Sequence, residues 1–367
     1  MKVKRRARAV ALAATLGLVG TTGVAAPAMA GAGGNGRGHH GVRVVASGLD
    51  GPFGLDALRR HRFLVAEGDA GDVTIVGRHG RQRAIISDAA GVAGVAAGRK
   101  VFAVLGGGDE TGPAPDSAYP ASSVLRSDYR GRHVKVIADL AKYELDNNPD
   151  GQVQFSDEGT PYDALSNPFS MNLSKYGLLV ADGGANDVLK VNPRTGRVST
   201  FFVPPTVTDV EACLAPEAQA NPGTVGCDPV PTGIAVARGS VYVSTLGAEV
   251  PGAGRVYRLN PRNGRVQHVY KNLTAPTGVA VSPRGAVYIS EVLYGLPEGP
   301  PPDDLDITTI GRITKIGRHG RQSHVRVTTP TGLDFRRGHL YASTGSLAGP
   351  GAGEIVRIGS RAFHHHR

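Results

Sequence analysis

Six copies of one short pattern constrain this chain more than any other feature. Each copy opens with an apolar turn built on Gly, with Ser in its place once. A tight turn and an apolar strand ending in a small or acidic residue follow. The openings are Pro52-Phe-Gly-Leu, Val92-Ala-Gly-Val, Pro168-Phe-Ser-Met, Pro231-Thr-Gly-Ile, Pro276-Thr-Gly-Val and Pro330-Thr-Gly-Leu. They lead to RFLVAEG, KVFAVLGGG, GLLVADGGAND, SVYVSTLG, AVYISE and HLYASTG. Recurrence of one signature, with insertions of varying length between copies, marks a repeat architecture, in which each unit buries its apolar face only against its neighbours.

Each copy continues with a third strand and usually a fourth. The fifth reads GVAV, AVYIS, GRITKI and SHVRVT. Period-2 alternation predicts half-buried antiparallel strands, and Gly-bearing turns such as Arg262-Asn263-Gly264 suit tight hairpins. Four-stranded units around an axis make a propeller. The expected fold class is all-β: a six-bladed β-propeller over residues 42–360. The sixth copy has a third strand, GEIVRI, and no convincing fourth. The segment VRVVASGL, ahead of the first copy, supplies it and closes the ring. A seventh blade has no room, because residues 139–167 hold no alternating run and read as loop. Residues 361–367, ending HHHR, read as a frayed, disordered tail.

The first thirty residues stand apart. Lys2, Lys4, Arg5, Arg6 and Arg8 precede an apolar run, and Ala28-Met29-Ala30 is a small-x-small cleavage site. Residues 1–30 are expected to be a cleaved signal peptide of the general secretory route, and 31–41 a flexible leader. The expected location is extracellular. Cleavage removes five of the forty-one Lys and Arg and no acid, so the net charge falls from +10 to +5. That value does not suggest a nucleic-acid partner. No later stretch is long and apolar enough to span a bilayer. Cys213 and Cys227 are the only cysteines, and in an oxidising compartment they are expected to form a disulfide.

Propeller topology places the loop between second and third strands on the same face as the links between blades. Every long insertion is of that kind: 106–121, 139–167, 204–229, 247–254 and 291–310. The other turns are two to five residues long. Loops displayed on a rigid scaffold carry function, so the long-loop face is the expected binding face for a small molecule or protein. Charge divides likewise. Acids gather at the long loops, whereas Arg60, Arg81, Arg132, Arg197, Arg265, Arg321 and Arg337 fall in or beside the short turns. A basic face of this kind suits an anionic wall polymer or lipid surface.

Glu67, Asp182 and Glu291 end the second strands of the first, third and fifth copies. The repeat predicts that they converge on the axis at the long-loop end. Asn167, Asn186 and Asp187 lie close in sequence. Such a set of hard oxygens suits Ca²⁺, although no cofactor is required by the fold. Histidine is absent from this face: His61, His79, His133, His319 and His339 lie at short turns, and His268 and His324 in outer strands. Hydrolysis would therefore rest on carboxylates or a metal-bound water.

The segments SNPFSMNLSKYGLLVADGGANDVLKVNPRTGRVSTFF and PTGVAVSPRGAVYISEVLYGLPEG resemble the ScyD/ScyE family. The motif over Asp182 to Asp187 is the most specific part. The resemblance implies a secreted propeller with NHL-like repeats and carries no assigned activity. The repeats are more distantly similar to those of calcium-dependent lactonases and streptogramin lyases. The expectation is a secreted, monomeric binding protein acting through its long-loop face. The alternative is a Ca²⁺-dependent hydrolase, lactonase or lyase with a carboxylate-lined channel.

Overall fold

The computed structural model describes residues 41–107, 117–162, 164–218, 221–297, 299, 301–302 and 304–363. The expected signal peptide (1–30), residues 31–40 of the expected leader and the last four residues lie outside them.

Six four-stranded antiparallel sheets form the six blades of a β-propeller. Blade 1 holds β2 (Pro52–Ala57), β3 (Phe63–Glu67), β4 (Asp72–Val76) and β5 (Gln82–Ile86). Blade 2 holds β6 (Val92–Ala97), β7 (Val101–Leu105), β8 (Ser123–Ser127) and β9 (Lys135–Asp139). Blade 3 holds β10 (Pro168–Ser174), β11 (Gly177–Asp182), β12 (Asp187–Val191) and β13 (Val198–Phe202). Blade 4 holds β14 (Pro231–Ala237), β15 (Ser240–Thr245), β16 (Gly254–Leu259) and β17 (Val266–Leu273). Blade 5 holds β18 (Pro276–Val281), β19 (Val287–Glu291), β20 (Arg312–Ile316) and β21 (Gln322–Arg326). Blade 6 holds β22 (Leu333–Arg336), β23 (His339–Thr344) and β24 (Gly353–Ile358), and β1 (Val42–Leu49) is its outer strand. Val42 faces Ile358 and Leu49 faces Gly353, so the chain's start closes its end as expected.

The core is distributed between neighbouring blades. Leu64, Val73 and Ile85 of blade 1 pack on Val95, Ala103 and Leu125 of blade 2, and comparable clusters fill the other interfaces. The second strands are therefore buried on both faces, which is why VFAVL reads as a continuous apolar run instead of alternating. Alternation survives where a strand meets water, as in β21.

The inner strands crowd the axis, and this explains the repeated Gly. A Cβ on Gly278 would lie 2.2 Å from the Thr331 carbonyl oxygen of the next blade. A Cβ on Gly332 would lie 2.7 Å from that of Phe53.

Three details differ from the sequence reading. Residues 139–167 contain a helix, α1 (Leu140–Asn147), capped by the Asp139 carboxylate, which accepts from Lys142 N. Looking only for alternation hides a helix of this size. The short turns run from two residues (175–176) to seven (128–134). Finally, residues 361–363 of the expected disordered tail are placed: Ala362 and Phe363 are buried, and Phe363 packs on Tyr288; the rest of that expected tail lies outside the described residues. Among the described residues no helix is long and apolar enough to cross a membrane.

Candidate functional site

Glu67, Asp182 and Glu291 are all buried, and each serves its own blade. Glu67 Oε2 accepts from Asp50 N at 2.9 Å. Asp182 Oδ1 accepts from Asn167 N at 2.6 Å, and its Oδ2 accepts from Ser166 Oγ at 2.6 Å. Glu291 Oε2 accepts from Thr274 N at 2.8 Å. Asp50, Asn167 and Thr274 each immediately or closely precede the inner strand of the same blade. The three acids thus clamp the incoming link onto the end of the second strand. The expected convergence on the axis does not form, because inner strands, not second strands, line the channel. Among the described residues no three His, Cys, Asp or Glu side chains are grouped to hold a metal ion.

Compensation differs between the blades. Glu291 pairs with Arg312 directly across the β19–β20 ladder, at 2.7 Å from Nε, and also accepts from Thr314 Oγ1. Burial raises the Glu67 pKa, opposed by hydrogen bonds from Thr74 and from Asp50 N. Burial likewise raises Asp182, to about 6, against hydrogen bonds from Ser166 and three backbone amides.

Blade 3 carries a wider acidic network. Across the β11–β12 ladder Asp182 faces not a base but Asp187, which is fully buried with neither carboxylate oxygen hydrogen-bonded. Glu144, from α1, accepts from Gln154 Nε2 at 3.0 Å through Oε1 and leaves Oε2 unpartnered. Asp150 accepts from Gln152 N at 3.0 Å and from Asn186 Nδ2 at 3.3 Å. Asp228 accepts from Gln152 Nε2 at 2.8 Å through Oδ1, with Oδ2 unpartnered. Burial drives the Asp187 pKa well up, and Asp182, Glu144 and Asp150 push it further. Glu144 is raised to about 7, chiefly by burial. The amide oxygens of the other two sequence candidates are engaged: Asn167 Oδ1 accepts from Gly107 N at 3.0 Å and Asn186 Oδ1 from Val230 N at 3.1 Å.

On the axis, the long-loop end is sealed. Phe53 and Phe169 meet edge-to-face at 5.8 Å beside Ala93 and Leu347. Thr232, Thr277 and Thr331 each donate to a carbonyl of the next blade. The open part is the other half, a cavity of about 340 Å³ lined by the later residues of all six inner strands. It contains Asp56, Asp334 and Arg336. Asp56 Oδ2 accepts from Ala97 N at 2.8 Å, and Asp334 Oδ2 from Ala57 N at 2.9 Å, each bridging to the following blade. Burial first, and Asp334 second, raise Asp56 to about 7, while Arg336 opposes the rise. This pair was not singled out from the sequence. The available signal was Gly-Leu-Asp at the same place in the first and last repeats.

Arg60, Arg81, Arg132, Arg197, Arg265, Arg321 and Arg337 all lie in the short turns and are exposed. The described histidines named above occupy short turns, the start of β23 and outer strands, and none is on the long-loop face. Cys213 and Cys227 are disulfide-bonded in the link between blades 3 and 4, where Val207 also pairs with Cys227.

No family model matches the chain, and no curated protein matches it in sequence. Among solved structures it is similar to a protein of unknown function from Bacteroides thetaiotaomicron, at 12% identity and a TM-score of 0.54 over 87% of this chain and 75% of that one. It is also similar to a gluconolactonase from Xanthomonas campestris, at 11% identity and a TM-score of 0.52 over 87% and 89% of the two chains. At such identities the likeness establishes the six-bladed propeller and nothing about activity.

Proposed function

We propose that this is a secreted, monomeric binding propeller of the ScyD/ScyE kind, whose ligand meets the long-loop face. One observation carries the reading. The longest connections, α1 and the disulfide all fall on that face, while Phe53, Phe169 and Leu347 close the channel beneath it. A ligand arriving there rests on loops and has no deep channel to enter. The disulfide fits an oxidising, extracellular setting.

The test uses the mature chain, immobilised and probed with a panel of envelope glycans, lactones and peptides. Replacing residues 295–308 by a short Gly-Ser turn is expected to abolish or strongly weaken a hit while leaving thermal unfolding unchanged. Charge reversal at Arg132 and Arg265, on the opposite face, is expected to leave it intact. The reverse pattern overturns the reading. The same charge reversal is expected to weaken salt-sensitive adsorption to anionic vesicles, the role we assign to the arginine face.

A second reading is favoured by the axial cavity. Asp56 and Asp334 form a carboxylate pair with different surroundings beside Arg336, as acid–base chemistry on a lactone or similar ester would use. In that case the carboxylate-lined channel of a hydrolase exists at the short-turn end, not where Glu67 and Glu291 lie. Turnover of a lactone panel, with and without Ca²⁺, that is lost in Asp56→Asn would favour this enzyme over the binding protein.

A further inference from the structure

Blades 3 and 5 solve one electrostatic problem in opposite ways. In both, a buried carboxylate ends the second strand and clamps the incoming link. In blade 5 the residue across the ladder is Arg312, whose guanidinium neutralises Glu291. In blade 3 that place is held by another acid, Asp187. The leading influences on Glu144, Asp182, Asp187 and Asp228 are burial, polar or amide hydrogen bonds and neighbouring carboxylates, with no lysine or arginine among them.

The unpartnered atoms point the same way. Asp187 Oδ1 and Oδ2, Glu144 Oε2, Asp228 Oδ2, Asn148 Oδ1 and Asn221 Oδ1 are all buried oxygens without a hydrogen bond. They belong to one connected region. Gln152 joins Asp150, Asp228, Asn148 and Asn221, Asn186 joins Asp150 to blade 3, and Asp187 feels the charges of Glu144 and Asp150. Buried acceptors lacking donors cost about 1–3 kcal/mol each, and more when charged. A set made only of oxygens is what a hard cation requires. The local sequence agrees in part. Asp146-Asn147-Asn148-Pro149-Asp150-Gly151 has the spacing of the first half of a calcium loop, with Gly151 at φ 72°. Asp146 itself is exposed and paired with Lys142, so only Asn148 and Asp150 of that pattern join the network.

We propose that blade 3 holds one divalent cation of the calcium class beneath the long-loop face, bound by Asp187 with Glu144, Asp150 and the Asn148 amide oxygen, and with Asp228 and Asn221 at its edge. The cation takes the place that Arg312 occupies in blade 5. Among the described residues no three carboxylates stand close enough together to hold a metal ion, so Glu144 and Asp150 close on Asp187 as the cation binds, and amide oxygens and water complete calcium's flexible shell of six to eight oxygens. Bound there, it ties α1 and the loop after it to blade 3 and to the link into blade 4. The site stands apart from whatever the long-loop face or the axial cavity binds, since Asp187 is fully buried.

The test is calorimetric titration of the chelator-stripped mature chain with CaCl₂, and with MgCl₂ for comparison, alongside thermal unfolding in calcium or EDTA. We expect one Ca²⁺ per chain, weaker Mg²⁺ binding and a higher Tm in calcium. Asp187→Asn is expected to weaken Ca²⁺ at least tenfold and remove the Tm shift, whereas Glu67→Gln keeps both. Should Asp187→Asn fail to fold, Asp228→Asn, at the edge, is expected to fold and bind several-fold more weakly. A wild-type protein with no Ca²⁺ uptake and no Tm shift overturns the proposal, as it would if its carboxylates simply shared protons. Undiminished binding in both Asp variants overturns it too.

Discussion

Single residues carry much of this molecule's electrostatic stress, and two of them make direct predictions. Asp56 has a folded pKa of about 7, above its ordinary value of 3.8. Between those values the folded protein holds a proton that the unfolded chain has lost. Its contribution to stability is therefore complete below about pH 4 and falls as pH rises towards 7, with a limiting slope of about 1.4 kcal/mol per pH unit. Asp56→Asn keeps an oxygen for Ala97 N and carries no charge. Its Tm relative to wild type is expected to rise between pH 5 and pH 8. A difference that does not change with pH would refute the assignment. Glu291 makes the opposite case, a buried charge with a firm partner. Arg312→Ala strands that carboxylate and is expected to cost about 3–5 kcal/mol in urea unfolding. The double change Glu291→Gln with Arg312→Met should cost much less, since no charge remains buried.

At the level of elements, the link between blades 3 and 4 is held by a disulfide rather than by a sheet. The bridge closes a separation of 14 residues, and chain entropy assigns such a loop about 3 kcal/mol. Cys213 and Cys227 pack with Val207 and Ala253, away from the blade interfaces. Replacing both cysteines by Ser is expected to lower the Tm modestly, to leave the far-ultraviolet spectrum unchanged and to speed proteolysis within 204–229. Loss of the β spectrum would show that the bridge supports the ring itself.

For the whole molecule, ring closure is the decisive contact. β1 joins the beginning of the described chain to β24 near its end, and Ala46 and Leu49 fill the interface between blades 6 and 1. Deleting residues 31–49 exposes β24 as an unpaired edge and opens that interface. The truncated chain is expected to unfold at a far lower temperature and to aggregate. Unchanged melting would sink the closure mechanism.

The repeat, and with it the blade count and closing strand, could be read from the sequence because each copy obeys local rules: Gly at the crowded axis, short apolar strands, tight turns. The arginine face was legible for the same reason, since topology assigns every short turn to one end. The candidate site was legible only in part. Asp182 and Asp187 stood out as residue types, but the charges around Asp187 come from far along the chain: Glu144 from a helix, and Asp150 from the loop after it. Strand direction also decided which acids see the channel. Glu67 and Glu291 turn to the links ahead of their blades, whereas Asp56 and Asp334, on inner strands, line the cavity. Periodicity determines that a strand exists and roughly where it ends. Which carboxylate meets a base, an amide or another carboxylate depends on packing between distant segments, and only the tertiary structure decides that.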